Sequence, residues 1–478
     1  MDKHHVLSVW ANADHVADIT HDARNDSWDL AYTPQWRSRP DSFPLCPSLP
    51  LPPPGRHGTI PYPPGTIKRF LENLLPEGHA LDAVADSQRI SKNNIFGLVR
   101  TIGSEATGAF RFLSPEATSA DARSETAARR VTLAELHERI ASRGHRPLLE
   151  WDGKIRMSVA GLQDKLPVYV HGNPGDTQDV ILFLPDFPLA STHILKPQPL
   201  QIEHMVVNEH YCMRLAKAMG LPAAEVGILR TPDPVLAVTR FDRRFAPAQV
   251  PGVVSKHLPS GERLRPVERL HIVDACQAYD LPVSYKYERN FGSGRDVAHI
   301  RDGMSLPRLF KLARTAAISP APTKRALLQW ALFQLLIGNV DAHGKNFSFF
   351  VMPAGLYPAP WYDLVSVAQY PAFANEFAMA FGDAFTLDEL SGMELAQFAV
   401  ACDIDQRYLA REAARLCKLA GKVAPAVLDN MAYLPEERRF VAQIVKFVTR
   451  QADWLTRVAE LASDFPSDAL SSFDRDLV

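Results

Sequence analysis

The chain is 478 residues long, 46% apolar and 22% charged, with 52 Lys and Arg against 54 Asp and Glu. That length predicts about two to four domains whose cores need no disulfide or metal staple, and the balanced charge excludes a binder acting by bulk neutralisation of nucleic-acid phosphates. Cys46, Cys212, Cys276, Cys402 and Cys417 stand singly, as reduced thiols in a cytosol do. No run of about 18 apolar residues occurs, and Met1 to Trp10 is too short an apolar run for a signal peptide. The expectation is a soluble, cytoplasmic protein without membrane contact.

Val6 to Trp10 and Val16 to Ile19 read as two strands around a turn, the start of a small β-rich module. Eleven prolines between Pro34 and Pro64 remove backbone donors and forbid continuous helix, so this segment is expected to run extended over a surface, anchored by Trp36, Phe43, Leu45, Leu49 and Leu51. Thr66 to Leu75 has a helical apolar face, stopped by Pro76-Glu-Gly78. Ser114 to Arg130 reads as a linker, and Thr132-x-x-Glu135 as a capping box opening the next helix. Short strands follow at Leu166 to Val170, Val180 to Leu184, His193 to Lys196 and Val235 to Phe241, interrupted by a helix from Glu203 to Met219 that Gly220 stops. From Leu270 the pattern is mostly helical, clearest over Lys324 to Ile337, Leu387 to Ala401, Arg407 to Ala420 and Glu436 to Leu461. The fold class expected is α+β, with domains 1–130, 131–245 and 246–478.

The segment Gly338-Asn-Val-Asp-Ala-His-Gly-Lys-Asn346 follows a strongly apolar helix. Asp341 and Asn346 are five positions apart, the separation between the base Asp and the magnesium-binding Asn of a protein-kinase catalytic loop. By itself a D-x-x-x-x-N match is usually just a polar loop. Lys196 ends a short apolar strand, and Glu209 follows 13 residues later, interrupting the stripe Met205, Cys212, Ala216, Met219. A carboxylate there needs a cation, for which Lys196 is the candidate. Asp363 lies 17 residues after Asn346, in order for a second magnesium-binding carboxylate. Arg230, Arg240, Arg243 and Arg244 form a basic cluster, a pattern that is more often a solvated or paired face than a groove.

Together with Phe70 to Gly78, Ser158 to Lys165, Thr192 to Lys196, Asn208 to Cys212, Leu236 to Arg244, Ser284-Tyr-Lys-Tyr-Glu288, Ile337 to Ser348 and Trp361 to Asp363, the chain resembles the HipA family of serine/threonine kinases, toxins of bacterial toxin–antitoxin modules. The resemblance implies a two-lobed kinase-like fold, a small β-rich lobe and a large helical one, behind a β-rich N-terminal module. It implies ATP and Mg²⁺ as cofactors, Asp341 as catalytic base, and Asn346 and Asp363 as magnesium ligands. ATP contacts would come from Ala160, Gly161, Leu162, Gln163, Asp164 and Lys165 (phosphate-binding loop), Lys196, the hinge Thr239, Arg240 and Phe241, and His343, Gly344, Lys345 and Tyr362. Glu209 would support Lys196, and Ser158 would be an autophosphorylation site. Thr239 departs from the family, which has an acidic residue there. The partners implied are a protein substrate such as an aminoacyl-tRNA synthetase, and a helix-turn-helix antitoxin through which DNA is met. Rival readings are a catalytically silent nucleotide-binding subunit and a metal hydrolase built on Asp341, His343 and Asp363.

Overall fold

The computed structural model describes residues 4–56, 60–114, 128–145, 147–156, 163–175, 179–186, 189–246, 256, 257, 261, 263–373 and 375–466. Two compact units divide the chain: Met1–Val206, Val226–Val273 and Phe350–Pro353 in the first, Val207–Glu225, Asp274–Phe349 and Ala354–Val478 in the second.

Among the described residues, the first unit carries two larger antiparallel sheets, of four and six strands, besides three two-stranded ones. In the four-stranded one the order is Ser27–Tyr32, Asp14–Asp22, His4–Ala11, Phe110–Leu113, so the expected hairpin extends into a small sheet. The Pro-rich segment makes one short helix, Pro34–Arg37, and no other helix or strand up to Thr66 among the described residues. Its carbonyls are held by side-chain donors: Tyr32 Oη donates to Leu49 O at 2.6 Å and accepts from Leu45 N at 2.8 Å, and Trp36 Nε1 donates to Phe43 O at 3.0 Å. Trp36, Leu45 and Leu49 are buried, while Phe43 and Leu51 are half-buried. Next comes the helix Thr66–Glu72, ending short of Leu75. Gly78 does not stop it but opens a further helix, Gly78–Gln88; that helix and Ile95–Ile102 were not expected.

The six-stranded sheet has the order Val226–Arg230, Pro234–Thr239, His193–Pro197, Leu166–His171, Ile181–Pro185, Ala128–Val131. Alternation with period two sends Leu166, Val168 and Val170 to one face, packed with Leu136 and Ile140 of the helix Leu133–Ala141, and Tyr169 with Phe183 to the other. The last strand takes in residues expected to be linker, because Arg129 and Arg130 pair in register with Leu184 and Phe183. Thr132 Oγ1 accepts from Glu135 N at 3.1 Å. The reciprocal half of the capping box is replaced by an ion pair from Glu135 to Arg129. Within this unit the arginine cluster is a paired face: Arg240 and Arg243 are buried against Asp242 and Glu105, and exposed Arg244 pairs with Glu268.

The second unit is helical. Met205–Ala218 begins at its boundary and ends at Gly220, φ +73°. Pro320–Ile337, Gly392–Ala401, Gln406–Asp429 and Pro435–Ala462 follow. Gly392–Ala401 starts later than Leu387, where Ser391 and Glu394 form a capping box. Gln406–Asp429 runs past Ala420 through Pro425. All five cysteines are buried and none is in a disulfide, and no described helix is long and apolar enough to cross a membrane.

Candidate active site

The helix Pro320–Ile337 buries Leu327, Leu328 and the run from Trp330 to Ile337, a rigid base for the loop that leaves it. Gly338 turns the chain at φ 65°, a left-handed conformation that costs glycine nothing. A Cβ there would lie 2.7 Å from Ala368 Cβ and from the Phe447 ring, so glycine is required by space as well.

Beyond it the loop is held by its own polar groups. Asp341 is exposed and its Oδ1 accepts from Tyr287 Oη at 3.0 Å. His343 caps the short 3-10 turn Gly344–Asn346: its Nδ1 accepts from Lys345 N at 3.2 Å, and its own N–H donates to Asn346 Oδ1 at 3.1 Å. Burial, reinforced by the charges of Lys286 and Lys345 against an opposing Asp363, holds the His343 imidazole well below its ordinary pKa. The ring is therefore neutral near pH 7, with its proton on Nε2. Asn346 Nδ2 reaches Asp363 Oδ2 at 3.4 Å, so the structure brings together the two residues expected to share a cation.

Asp363 has φ 53°, an uncommon conformation for a residue with a Cβ, of the kind concentrated at functional sites. Asn339 supports it: its Nδ2 donates to Gln334 Oε1 at 2.8 Å and lies 3.4 Å from Asp363 O. Tyr362 acts as a strut, its hydroxyl donating to Lys345 O at 2.6 Å and sitting 2.7 Å from Ser348 Oγ. Lys345 points its ammonium at Asp274, at 2.6 Å in a buried pair, so the group expected to meet a nucleotide is engaged by a carboxylate 71 residues away in sequence. Glu209 is buried, 2% exposed, as are Cys212, Ala216 and Met219 of the same stripe. Tyr287, Asn339, Gln334 and Asp274 were not assigned roles from sequence. Two of them carried a signal there, Tyr287 by lying in the segment Ser284 to Glu288 and Asn339 by lying in Ile337 to Ser348.

In the first unit, Lys196 is buried on the strand His193–Pro197. Leu195 pairs with Leu166, and Lys165, also buried, precedes the strand Leu166–His171. Gln163 Nε2 lies 3.5 Å from Pro197 O, and Asp164 lies 3.3 Å from Arg143. In the segment expected to serve as hinge, Arg240 N donates to Thr192 O at 2.9 Å, the Thr239 hydroxyl lies 3.1 Å from His193 Nε2, and Phe241 meets Phe350 edge-on at 6.2 Å. The Arg240 guanidinium is turned to Asp242 and the Ser191 hydroxyl. Ser158, Ala160, Gly161 and Leu162 lie outside the described residues.

Two families match the sequence: the HipA N-terminal domain over residues 7–113 and the HipA-like C-terminal domain over residues 157–425. A relative in Shewanella oneidensis, named serine/threonine-protein kinase toxin HipA, is 39% identical over 89% of this chain and 90% of its own. A putative kinase of Sinorhizobium fredii, Y4mE, is 29% identical over 90% of this chain and 93% of its own. Among solved structures, the Shewanella oneidensis complex of HipA, HipB and operator DNA matches with a TM-score of 0.80 at 35% identity, covering 96% of this chain and 100% of that one. The chain belongs to the HipA family and is a HipA-like serine/threonine-protein kinase.

Proposed function

We propose that the chain transfers the γ-phosphoryl group of ATP to a serine or threonine hydroxyl of another protein, with Asp341 as the base that orients the hydroxyl and takes its proton. The observation that carries this reading is the catalytic loop: an exposed carboxylate at Asp341, and five residues on an amide whose Nδ2 lies 3.4 Å from Asp363 Oδ2. Phosphoryl transfer needs in-line positioning and charge compensation more than covalent chemistry, and this loop supplies positioned polar groups on a buried helix.

Oxygen donors on Asn346 and Asp363 suit Mg²⁺, which takes few protein ligands and completes its octahedron with water and phosphate oxygens. No group of three or more His, Cys, Asp or Glu able to hold a metal occurs among the described residues, which argues against a metal hydrolase centred on Asp341, His343 and Asp363. When bound, the cation offsets charge on the transferring group. The His343 N–H leaves Asn346 Oδ1 a second lone pair for it. Lys196 is assigned to the phosphates, with Glu209 as its ion-pair support. Residues 160–165 are assigned to the phosphates and Thr239 to Phe241 to the adenine, with Ser158 as the site of self-phosphorylation.

The relative's complex with HipB and operator DNA supports a DNA-binding antitoxin as partner here, and an aminoacyl-tRNA synthetase is the substrate class carried over from the family. The test is incubation of the full chain with γ-labelled ATP, Mg²⁺ and a bacterial lysate, followed by phosphoamino-acid analysis. Label on serine or threonine whose rate of transfer falls by about a hundredfold or more in Asp341→Asn supports the reading. A chain that binds ATP and labels nothing, itself included, is a silent nucleotide-binding subunit.

A further inference from the structure

The segment Ser284 to Glu288 has no role in the mechanism above, yet it is pinned on both sides. Met304 N donates to Tyr285 O at 2.8 Å, Gly344 N to Lys286 O at 2.9 Å, and Gly303 N to Glu288 O at 3.1 Å, while Glu288 N donates to Ala378 O at 2.8 Å. Ala378 in turn donates from its own N to Val340 O at 2.8 Å, which ties the segment to the residue before Asp341. Gly303 approaches so closely that a Cβ there would lie 1.7 Å from Tyr287 O.

This frame fixes one ring. Tyr287 packs edge-on against His343, centroids 5.2 Å apart at 89°, with Lys286 Nζ 5.2 Å from its own centroid. Its hydroxyl donates to Asp341 Oδ1 at 3.0 Å. We propose that Tyr287 is a positioning residue of the phosphoryl-transfer site, holding the Asp341 carboxylate in the rotamer from which it takes the substrate proton. The inference rests on the reading of Asp341 as base. An exposed Asp otherwise samples several rotamers, and a donor on a rigid backbone removes that freedom before the substrate arrives. The phenol holds Asp341 through Oδ1, and the carboxylate stays at the surface, where a substrate hydroxyl can reach it.

The experiment is a double-mutant cycle on the full chain, reading initial rates of label transfer from γ-labelled ATP into lysate protein, with a melting curve for each variant. Tyr287→Phe is expected to lower the rate at saturating ATP by about tenfold, the usual weight of a hydrogen bond to a charged group, with the KM for ATP within about twofold. On the Asp341→Asn background the same change is expected to cost nothing further, because its effect passes through that carboxylate. A Tyr287→Phe chain with the parent rate, a tenfold loss that persists on the Asp341→Asn background, or a chain that melts below the assay temperature would each overturn the proposal. Failure of the underlying reading looks different: Asp341→Asn itself would then label at the parent rate.

Discussion

Two clusters of charge in this molecule are built on opposite rules. In the first unit, Glu105, Arg240, Asp242, Arg243 and Arg269 are almost wholly removed from water, three guanidiniums paired with two carboxylates: Arg240 grips Asp242 through Nε at 2.9 Å and Nη2 at 2.7 Å, Arg243 Nη1 adds a contact at 2.8 Å, and Arg269 meets Glu105 at 2.6 Å. In the second unit the Asp341 carboxylate faces solvent and takes a neutral phenol as donor, and the imidazole two residues on is held uncharged. A buried charge is affordable only when paired, so the first cluster is committed to the fold. A carboxylate left at the surface stays within reach of a substrate hydroxyl.

The contrast breaks most sharply at Asp242. Asp242→Ala leaves Arg240 and Arg243 buried with less compensation, and a loss of about 3–5 kcal/mol in urea unfolding is expected; a loss under about 1 kcal/mol would mean that the arginines find other partners. Acid tests the same cluster. Burial pushes the Glu105 carboxyl up, but the guanidiniums of Arg269, Arg243 and Arg240 more than offset this and hold it at about 2. A folded pKa below the unfolded one contributes stability that is complete above about pH 4.5 and is lost as pH falls toward 2, on the order of 3 kcal/mol. Glu105→Gln should flatten that part of the stability-against-pH curve, and an unchanged curve would remove Glu105 from the account.

At the other cluster the order of effects reverses. Asp341→Asn is expected to lower phosphoryl transfer by at least about a hundredfold, the usual general-base contribution, while the melting temperature stays put because the side chain is exposed. A large fall in melting temperature would make Asp341 a structural residue. The smallest effect is expected at Arg244, an exposed partner of Glu268: Arg244→Ala should cost under about 1 kcal/mol, and a larger loss would mean that exposed and buried arginines of this run are not distinct.

Much of the site was legible from residue order. Asp341 and Asn346 stand at the separation expected of a kinase catalytic loop, Asp363 follows in order and lies against Asn346 in the structure, and Gly338 marks the exit from an apolar helix. The Glu209 carboxylate was legible as buried, since it interrupts a stripe of helical period. The pairing of Lys345 with Asp274 was not, because nothing local in either segment names a partner 71 residues away. Nor did the helices Gly78–Gln88 and Ile95–Ile102 declare themselves: the first buries only Val84 and Ala85, too thin a stripe to stand out, and the second is two turns long.

Local rules acting over a few residues were enough to determine the strand alternation around Val168, the left-handed exit at Gly338 and the residue types that phosphoryl transfer demands, and the amino-acid order carries those rules directly. Only tertiary structure decided which charges are spent on the fold. Arg240 and Lys345 look alike as free cations on paper, yet the first is closed by Asp242 together with Ser191 and the second by Asp274. A buried cation takes the nearest carboxylate in space, and distance in space is what the chain acquires by folding.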